Sequence, residues 1–290
     1  MGSGATGWVP PGVVGGGVAL EGARGSHLAH WHLWIDETPR PGYANMAIDQ
    51  ALLERAEQLG ESWLRLYQWE PHCLSFGRHE PASRRYDVNL IEALGLDTVR
   101  RPTGGRAVWH ARELTYAVAA PALLFGSLKA AYLEIHQMLG DGLVRLGARV
   151  WLAPPAPVST LDAGACFARP VGGELIAAGR KVVGSAQYRQ GLALLQHGSI
   201  LLEDDQRMVS RLTRGTTEGR ADGNGEASVQ GLGGLLGKSL ECDGVAEAIT
   251  DAARARWMGI WTRIAAPTHL LEAAAKHHRH YRSRAWTWAR

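Results

Sequence analysis

The spacing of apolar residues changes several times along this chain, and this change of period limits the folds open to it. Residues 43–59 repeat their apolar side chains at helical spacing, whereas residues 62–69 alternate between two faces as a strand does. The same reasoning predicts helices over 89–96, 128–147, 244–261 and 267–283, and strands over 72–80, 106–110, 113–121 and 174–202. Helices and strands interleave without an internal repeat, which favours an α+β fold with mixed or antiparallel sheets packed against helices.

The order of the predicted strands also suggests which of them pair. We expect 72–80 to pair with 62–69, and 106–110 to pair with 113–121 through a tight turn. The long segment 174–202 should contain three strands, with turns at Ala178-Gly179 and Gln190-Gly191.

Composition divides the chain into three parts. Residues 1–28 are rich in glycine and proline and cannot supply a core, so we expect a disordered leader. The folded body should span 29–265, and residues 266–290 should form a basic helix or tail. Within the body, residues 215–234 are polar and rich in glycine, which predicts a loop.

Charge and cysteine content exclude several classes of protein. A formal net charge of +3 is too small to indicate nucleic-acid binding, and the tail 276–290, which mixes cations with aromatics, is weak evidence by itself. Three cysteines form neither a disulfide framework nor a zinc-ligand spacing, so we expect a reducing cytoplasm and no metal. No apolar run reaches the roughly 18 residues of a membrane helix, so no membrane partner is expected.

The stretch "RRPTGGRAVWH", residues 100–110, places cations beside a glycine pair. Gly104 and Gly105 allow close approach of a ligand to the backbone, and nearby arginines can hold a phosphate or carboxylate. The stretch therefore predicts the lip of an anion or acyl-cofactor site, although it lacks the spacing of a phosphate-binding P-loop. A hairpin turn with surface arginines remains the alternative.

A second stretch, "GRKVVGSAQYR", places Lys181 inside an apolar strand. A lysine there is costly unless it faces solvent or a polar site. Gly184, Ser185 and Ala186 follow and leave room for a ligand against the backbone. The alternative is an edge-strand lysine that blocks aggregation.

Taken with "NMAIDQALL", "LRLYQWEPHCLSFGRHEP", "ELTYAV" and "QHGSILL", the two stretches resemble the signature of the biotin/lipoate protein ligase superfamily. The motifs follow the family order and spacing over about residues 31–265. The resemblance implies the catalytic fold of that superfamily. Six linked motifs make it much more specific than any one alone.

One branch of the superfamily fits best. Lipoate ligases that use ATP typically carry a Gly-Asn pair after the histidine of the first motif, whereas this chain has "HARELTYAV". That stretch is similar to octanoyltransferases, which also carry a cysteine upstream of the "GRKV" lysine. "DAGACFARP" supplies Cys166, 15 residues before Lys181. The aromatic-containing stretch that follows this cysteine in the family is replaced here by "ARPVGGEL".

The resemblance implies acyl transfer without ATP or any other cofactor. Cys166 would take octanoyl from a thioester donor and keep it as a second thioester, before a lysine of the acceptor takes the acyl group as an amide. Lys181 would stabilise the thiolate and later accept a proton from the incoming amine. The implied substrate-binding residues are Arg101, Gly104, Gly105, Arg106, His110, Gly184, Ser185, Ala186 and His197.

The remaining chemical groups have less specific interpretations. We interpret His110 and His197 as supports of the pocket, with a purely structural role as the alternative for each. Cys73 lies in an apolar strand and is assigned to the core, and Cys242 precedes a helix without a supporting constellation. Asp49 lies on a helix and is expected to cap it or pair locally.

The implied donor is octanoyl-acyl carrier protein, and the implied acceptor is a lipoyl domain or a glycine-cleavage H protein. Acyl carrier proteins are acidic, so we expect a basic rim at the pocket mouth. A subset of five arginines would form it: Arg78, Arg100, Arg101, Arg106 and Arg189.

Three other functions remain open at this point. An ATP-dependent lipoate ligase would not need Cys166. An amidotransferase that takes octanoyl from a glycine-cleavage H protein would use the same cysteine. A non-catalytic acyl-binding module is the non-enzyme alternative, although it would need neither Cys166 nor Lys181.

Overall fold

The computed structural model describes residues 29–154, 173–215, 231–265 and 267–289. Its strands are β1 His30–Arg40, β2 Ser62–Trp69, β3 Cys73–Phe76, β4 Asp97–Arg100, β5 Val108–His110, β6 Glu113–Pro121, β7 Val150–Leu152, β8 Leu175–Ala177, β9 Arg180–Lys181, β10 Val183–Gln190, β11 Ala193–Leu201 and β12 Ile260–Arg263. Its helices are α1 Gly42–Leu59, α2 Ala82–Arg85, α3 Val88–Ala93, α4 Leu128–Arg145, α5 Arg207–Arg211, α6 Leu232–Leu236, α7 Cys242–Arg256, α8 Thr268–Ala275, α9 His278–Tyr281 and α10 Arg284–Thr287. The predicted leader 1–28 and Cys166 lie outside the described residues.

A six-stranded mixed sheet in the order β10-β11-β6-β2-β1-β12 organises the fold. β1 runs parallel to β2 because α1 connects them as a crossover, and β12 adds a parallel edge strand beside β1. β6 pairs antiparallel with both β2 and β11, and β11 forms a hairpin with β10. The predicted α+β class is therefore confirmed.

Two smaller sheets flank the large one. β3 lies between β4 and β5, parallel to the first and antiparallel to the second. β7, β8 and β9 form an antiparallel ladder, in which Ile176 lies opposite Lys181. Ala178 and Gly179 form the β8–β9 turn at the predicted position, both with positive φ.

Apolar side chains bury both faces of the six-stranded sheet. On one face α4 and α7 contribute Met138 and Ile249 to a core with Leu64 and Leu66 of β2. On the other face α1 and α8 form a separate cluster, which includes Leu52 and Leu270 together with Trp63, Tyr67 and Leu195. Because β2 is covered on both sides, its alternating pattern does not separate a buried face from an exposed one.

Two predicted pairings are wrong, and the reason is geometric. A strand has only two edges: those of β2 are taken by β1 and β6, so β3 pairs in another sheet. Likewise β6 lies between β2 and β11, which leaves no edge for β5. β3 and β5 lie within the predicted strand segments 72–80 and 106–110, although β3 has only four residues, and β6 matches 113–121. Segment 174–202 contains four strands, β8 to β11, where three were predicted.

Two further segments differ from the sequence prediction. Residues 260–263 extend the large sheet as β12 and do not continue the predicted helix 244–261. The predicted loop 215–234 is not a loop at its end: α6 begins at Leu232, and Leu232 is fully buried in the core. No helix in the described ranges combines the length and apolar character needed to cross a membrane.

Candidate active site

A cleft of about 380 Å³ opens where the large sheet meets the turn between β4 and β5. Part of its wall is the β10–β11 hairpin, in which Ser185 lies opposite Gly198. A Cβ on Gly198 would overlap the carbonyl oxygen of Gly184, so glycine is required for this close approach. The lining residues are Met46, Tyr67, Trp69, Arg101, Gly105, Val108, His110, Thr115, Gly184, Ser185, Ala186, His197, Gly198 and Ser199.

The structure brings most of the predicted binding residues to this cleft, namely Arg101, Gly105, His110, Gly184, Ser185, Ala186 and His197. Gly104 and Arg106 line a neighbouring cleft of about 470 Å³, which shares Gly105 with the first and also contains His79 and Arg85. The sequence missed the aromatic and apolar wall of Met46, Tyr67, Trp69 and Val108. Such residues give the same sequence signal as ordinary core.

Lys181 on β9 is buried, and its Nζ donates a hydrogen bond to Glu174 Oε1 at 2.6 Å. Lys181 does lie on an edge strand, because β9 ends the sheet β7-β8-β9, but it is buried and so cannot act as an exposed lysine that blocks aggregation. An ammonium that leaves water needs a compensating carboxylate, and Glu174 supplies it immediately before β8. Glu174 was not among the residues predicted for the site. The sequence did contain a signal for this pair: a lysine within an apolar strand, and an acidic residue at the start of the hairpin that leads into that strand.

His110 links the cleft to a buried carboxylate. Its Nδ1 lies 2.7 Å from Glu113 Oε1, its Nε2 lies 2.5 Å from Ser75 Oγ, and its ring stacks on Trp69 at 4.0 Å. Burial lowers the pKa of His110, so the ring is neutral near pH 7, with the proton on the nitrogen that faces the carboxylate. Glu113 Oε1 also accepts hydrogen bonds from Thr115 and Ser199, which fixes the carboxylate.

His197 has a parallel arrangement. Its Nδ1 lies 2.8 Å from Asp49 Oδ2, and its Nε2 lies 2.7 Å from Thr103 Oγ1. Asp49 also pairs with Arg65 at 3.1 Å and accepts a hydrogen bond from the Tyr67 hydroxyl. The expectation that Asp49 caps or pairs locally is therefore wrong, because this buried carboxylate joins α1 to β2 and β11.

Both histidines have the carboxylate–imidazole–hydroxyl order seen in nucleophilic triads. The hydroxyls, however, belong to Ser75 and Thr103, which are fully buried and do not line the cleft. Arg101 donates a further hydrogen bond to Ser75 Oγ at 2.5 Å, so this oxygen is already occupied. The arrangement fixes the two rings as supports of the cleft and offers no exposed nucleophile.

The two adjacent arginines are both buried, so they form no part of the expected basic rim. Arg100 is 1% exposed and donates to the backbone carbonyls of Gly77, Arg78, Glu80, Trp286, Thr287 and Ala289 at 2.7–3.2 Å. Arg101 is 5% exposed and donates to Ser75 and to the carbonyls of Gly104 and Arg106, which shapes the glycine turn. Arg78 and Arg106 are half-buried, and Arg189 is exposed.

The two cysteines within the described residues are poor nucleophiles. Cys73 is fully buried in β3 as expected, and burial raises the pKa of its thiol. Burial also raises the pKa of Cys242 to about 11, and this thiol lies 2.6 Å from Gln68 Nε2. Neither forms an appreciable thiolate near pH 7.

The catalytic-domain family whose model matches is described as "Lipoyl protein ligase A/B catalytic domain", and the match covers residues 41–254. Two similar proteins are named "Octanoyltransferase LipM". The one from Carboxydothermus hydrogenoformans is 42% identical over 185 residues, which cover 62% of this chain and 68% of the relative. The one from Moorella thermoacetica is 37% identical over 231 residues, covering 77% and 84%.

Solved structures with the same fold are more distant in sequence. A crystal structure of lipoate-protein ligase A bound with ATP has a TM-score of 0.74 at 18% identity, covering 89% of this chain and 98% of that one. A bipartite lipoate protein ligase from Thermoplasma acidophilum has a TM-score of 0.72 at 18% identity, covering 90% and 96%. Together with the family match over most of its length, the shared fold means that this chain belongs to the lipoyl protein ligase A/B catalytic domain family.

Proposed function

We propose that this protein is an acyltransferase of lipoate biosynthesis, which moves octanoyl from octanoyl-acyl carrier protein to a lysine of a lipoyl domain or glycine-cleavage H protein. The observation that carries this proposal is the identity of 35–42% to several proteins named as octanoyltransferases. The identity to structures of lipoate ligases is only 18%, which bears on the fold alone.

The cleft has the chemistry that an octanoyl group requires. Met46, Val108 and the two aromatic rings of Tyr67 and Trp69 give it an apolar wall. The donor is a thioester and is already activated, so this transfer needs no ATP. Each methylene of the tail that the apolar wall buries contributes about 0.8 kcal/mol to binding of the donor. His110 and His197 line the same cleft, but both ring nitrogens of each are already hydrogen-bonded within the protein. A thioester carbonyl bound there must therefore take its hydrogen bonds from other donors.

The proposed reaction has two steps at Cys166, which lies outside the described residues. The Cys166 thiolate attacks the donor carbonyl carbon, the carbon–sulfur bond to the carrier breaks, and the carrier leaves as a thiol after taking a proton. The acceptor amine then attacks the new thioester. Its nitrogen forms an amide, the Cys166 sulfur leaves as thiolate, and the amine loses one proton.

Lys181 is the proposed partner of Cys166 in both steps. As an ammonium it favours the thiolate electrostatically and gives its proton to the leaving carrier thiolate in the first step. The amine that this leaves accepts the proton that the substrate amine loses in the second step. Its ion pair with Glu174 at 2.6 Å weakens the positive field of this ammonium. In this proposal the lysine and the carboxylate therefore act together on the Cys166 thiol.

Intact-mass analysis tests the proposal directly. The protein is mixed with octanoyl-acyl carrier protein in the absence of ATP, and we expect one octanoyl adduct that hydroxylamine removes. Addition of a lipoyl domain should discharge the adduct to the acceptor. The adduct should be absent from Cys166→Ala and present in the matched variant Cys242→Ala.

Two outcomes would contradict the proposal. Transfer by Cys166→Ala at the rate of the parent would exclude the cysteine thioester. Transfer that depends on ATP and releases pyrophosphate would indicate a lipoate ligase instead.

A further inference from the structure

Ser185 in the cleft wall belongs to a network of hydrogen bonds that the proposed mechanism does not use. The Ser185 Oγ lies 2.6 Å from the Tyr116 hydroxyl and 2.7 Å from His136 Nε2. Behind it, Gln196 Nε2 donates to the Tyr116 hydroxyl at 2.9 Å. Tyr116, His136 and Gln196 are fully buried, whereas Ser185 is half-buried and lines the cleft.

The direction of each hydrogen bond in this network follows from which atoms can donate. His136 Nδ1 lies 2.6 Å from the carbonyl oxygen of Gly173, which only accepts, so Nδ1 carries the proton. Burial lowers the pKa of His136 to about 4, which keeps the ring neutral and leaves Nε2 as an acceptor. Ser185 therefore donates its single proton to His136. Tyr116 in turn donates to Ser185, since it accepts from Gln196.

This polarity restricts what Ser185 can offer a ligand. A hydroxyl has one proton and two lone pairs, and the proton together with one lone pair is already used. The remaining lone pair can only accept, so Ser185 cannot donate to a carbonyl oxygen or to an oxyanion. A ligand recognised by Ser185 must bring an N–H or O–H group.

We propose that Ser185 accepts a hydrogen bond from the attacking amine of the acceptor lysine, and that His136 is the positioning residue that makes Ser185 an acceptor. The inference rests on the proposed octanoyl transfer. The octanoyl tail has no N–H group, whereas the amine must turn its lone pair toward the thioester carbon with its N–H bonds directed elsewhere. Ser185 keeps its own proton throughout, and the proton lost by the amine leaves by another route.

Steady-state kinetics can separate the two half-reactions. In a ping-pong reaction, kcat/KM for the donor reports formation of the acyl-enzyme, and kcat/KM for the lipoyl domain reports the attack of the amine. We expect Ser185→Ala to lower the acceptor value by about three- to tenfold, the range for loss of one hydrogen bond, and to leave the donor value unchanged. Ser239→Ala, at an exposed position outside the cleft, is the matched control and should change neither value.

Variants of His136 test its positioning role. His136→Leu should reproduce the loss seen in Ser185→Ala, and the double variant should lose no more than either single variant, because both disrupt one unit. His136→Gln provides an amide oxygen that can accept the Ser185 proton, and it should restore part of the acceptor value. Additive losses, or no recovery with glutamine, would overturn the role of His136.

The outcomes for Ser185 are equally distinct. A fall in the donor value alone would assign the Ser185 contact to an amide of the carrier, and an equal fall in both values would reduce it to a structural group. An octanoyl ester on Ser185 in the Cys166→Ala variant would show that Ser185 is a nucleophile. Each of these three results would overturn the inference. Failure of the parent protein to transfer octanoyl, by contrast, would contradict the proposed function itself.

Discussion

The Lys181 ammonium and the Glu174 carboxylate form a buried ion pair. If Cys166 lies beside this pair, the two charges act on its thiol in opposite directions. A nearby cation lowers a thiol pKa, whereas a nearby carboxylate raises it. The reactivity of Cys166 near neutral pH therefore measures the balance between them.

We predict opposite effects for two substitutions at this pair. Lys181→Met should slow the alkylation of Cys166 at pH 7 by about tenfold, because the thiolate loses its cation. Glu174→Gln should make alkylation faster, because the negative charge of Glu174 then no longer counteracts the ammonium at the thiol. Peptide mapping by mass spectrometry measures the rate at each cysteine, and Cys242 serves as the internal control. An unchanged alkylation–pH profile in both variants would show that the pair does not tune Cys166.

His136 should make stability depend on pH. Burial lowers its pKa to about 4 in the folded state, against 6.5 for an ordinary histidine. As the pH falls below 6.5, the unfolded chain takes up this proton before the folded protein does, so stability is lost progressively down to pH 4.

The predicted loss from this one group is about 2 kcal/mol between pH 7 and pH 5. Urea denaturation of the parent and of His136→Gln isolates the contribution of His136 to the free energy of unfolding, because the other titrating groups are common to both proteins. The free energy of unfolding of the parent should fall more steeply, by about this amount. If the free energy of unfolding changed with pH equally in the parent and in His136→Gln, His136 would not be buried in its neutral form.

At this scale the sequence identified individual chemical groups better than their partners. Lys181 and Ser185 stood out because a cation and small residues interrupt an apolar strand. Glu174, Glu113 and His136 did not stand out, because an isolated acidic residue or histidine is common on any surface. Only the fold reveals that each of them is buried against a group on another element.

Among the secondary-structure elements, the end of β3 meets the glycine turn at close range. A Cβ on Gly77 would overlap the carbonyl oxygen of Gly105, whereas a Cβ on Gly104 would enter open space. Gly77 therefore holds the turn against β3 by its lack of a side chain, and Gly104 has no such structural requirement.

These two glycines give matched predictions. Gly77→Ala should destabilise the protein by about 1–3 kcal/mol and reduce octanoyl transfer, because the turn must move away from β3. Gly104→Ala should leave the melting temperature unchanged, and it should reduce transfer only if a ligand approaches this backbone. Thermal unfolding and transfer rates measured on both variants check the pair. An unchanged melting temperature for Gly77→Ala would contradict the close contact.

Most elements could be predicted from sequence, but their pairing could not. The helical period of α1 and α4 and the turn residues at 178–179 are local signals, and the structure confirms them. Which strand lies beside β2 depends on the crossover through α1, which no local pattern encodes. β12 has only four residues after a long helix, so its pairing with β1 also comes from tertiary contact.

Across the whole molecule, Arg100 joins distant parts of the chain. Three of its carbonyl acceptors lie at residues 77–80 and three at residues 286–289, and Trp286 Nε1 returns a hydrogen bond to the Arg100 carbonyl at 3.0 Å. Trp288 also packs on Phe76 of β3. Residues 286–289 therefore hold the strand that leads into the glycine turn.

We predict that Arg100→Met destabilises the protein by about 3 kcal/mol or more, because several buried carbonyls lose their donor at once. Arg284→Met is the matched control, since Arg284 is 67% exposed in its pair with Glu92 and should contribute less than about 1 kcal/mol. Chemical denaturation measures both free energies of unfolding. Equal effects of the two substitutions would contradict the buried role of Arg100.

The Arg100 contacts also bear on how the protein is made. A ribosome releases residues in order, so residues 286–289 emerge after every residue that lines the cleft. Until then, the acceptors that the described residues offer the guanidinium of Arg100 are the three carbonyls at residues 77–80. The nascent chain can pair β1, β2, β6, β11 and β10 before residues 286–289 emerge, yet the turn that borders the cleft acquires its final support only after they do. A nascent chain that stops before residue 286 would thus have a cleft bordered by a turn that lacks half of the carbonyl contacts of Arg100.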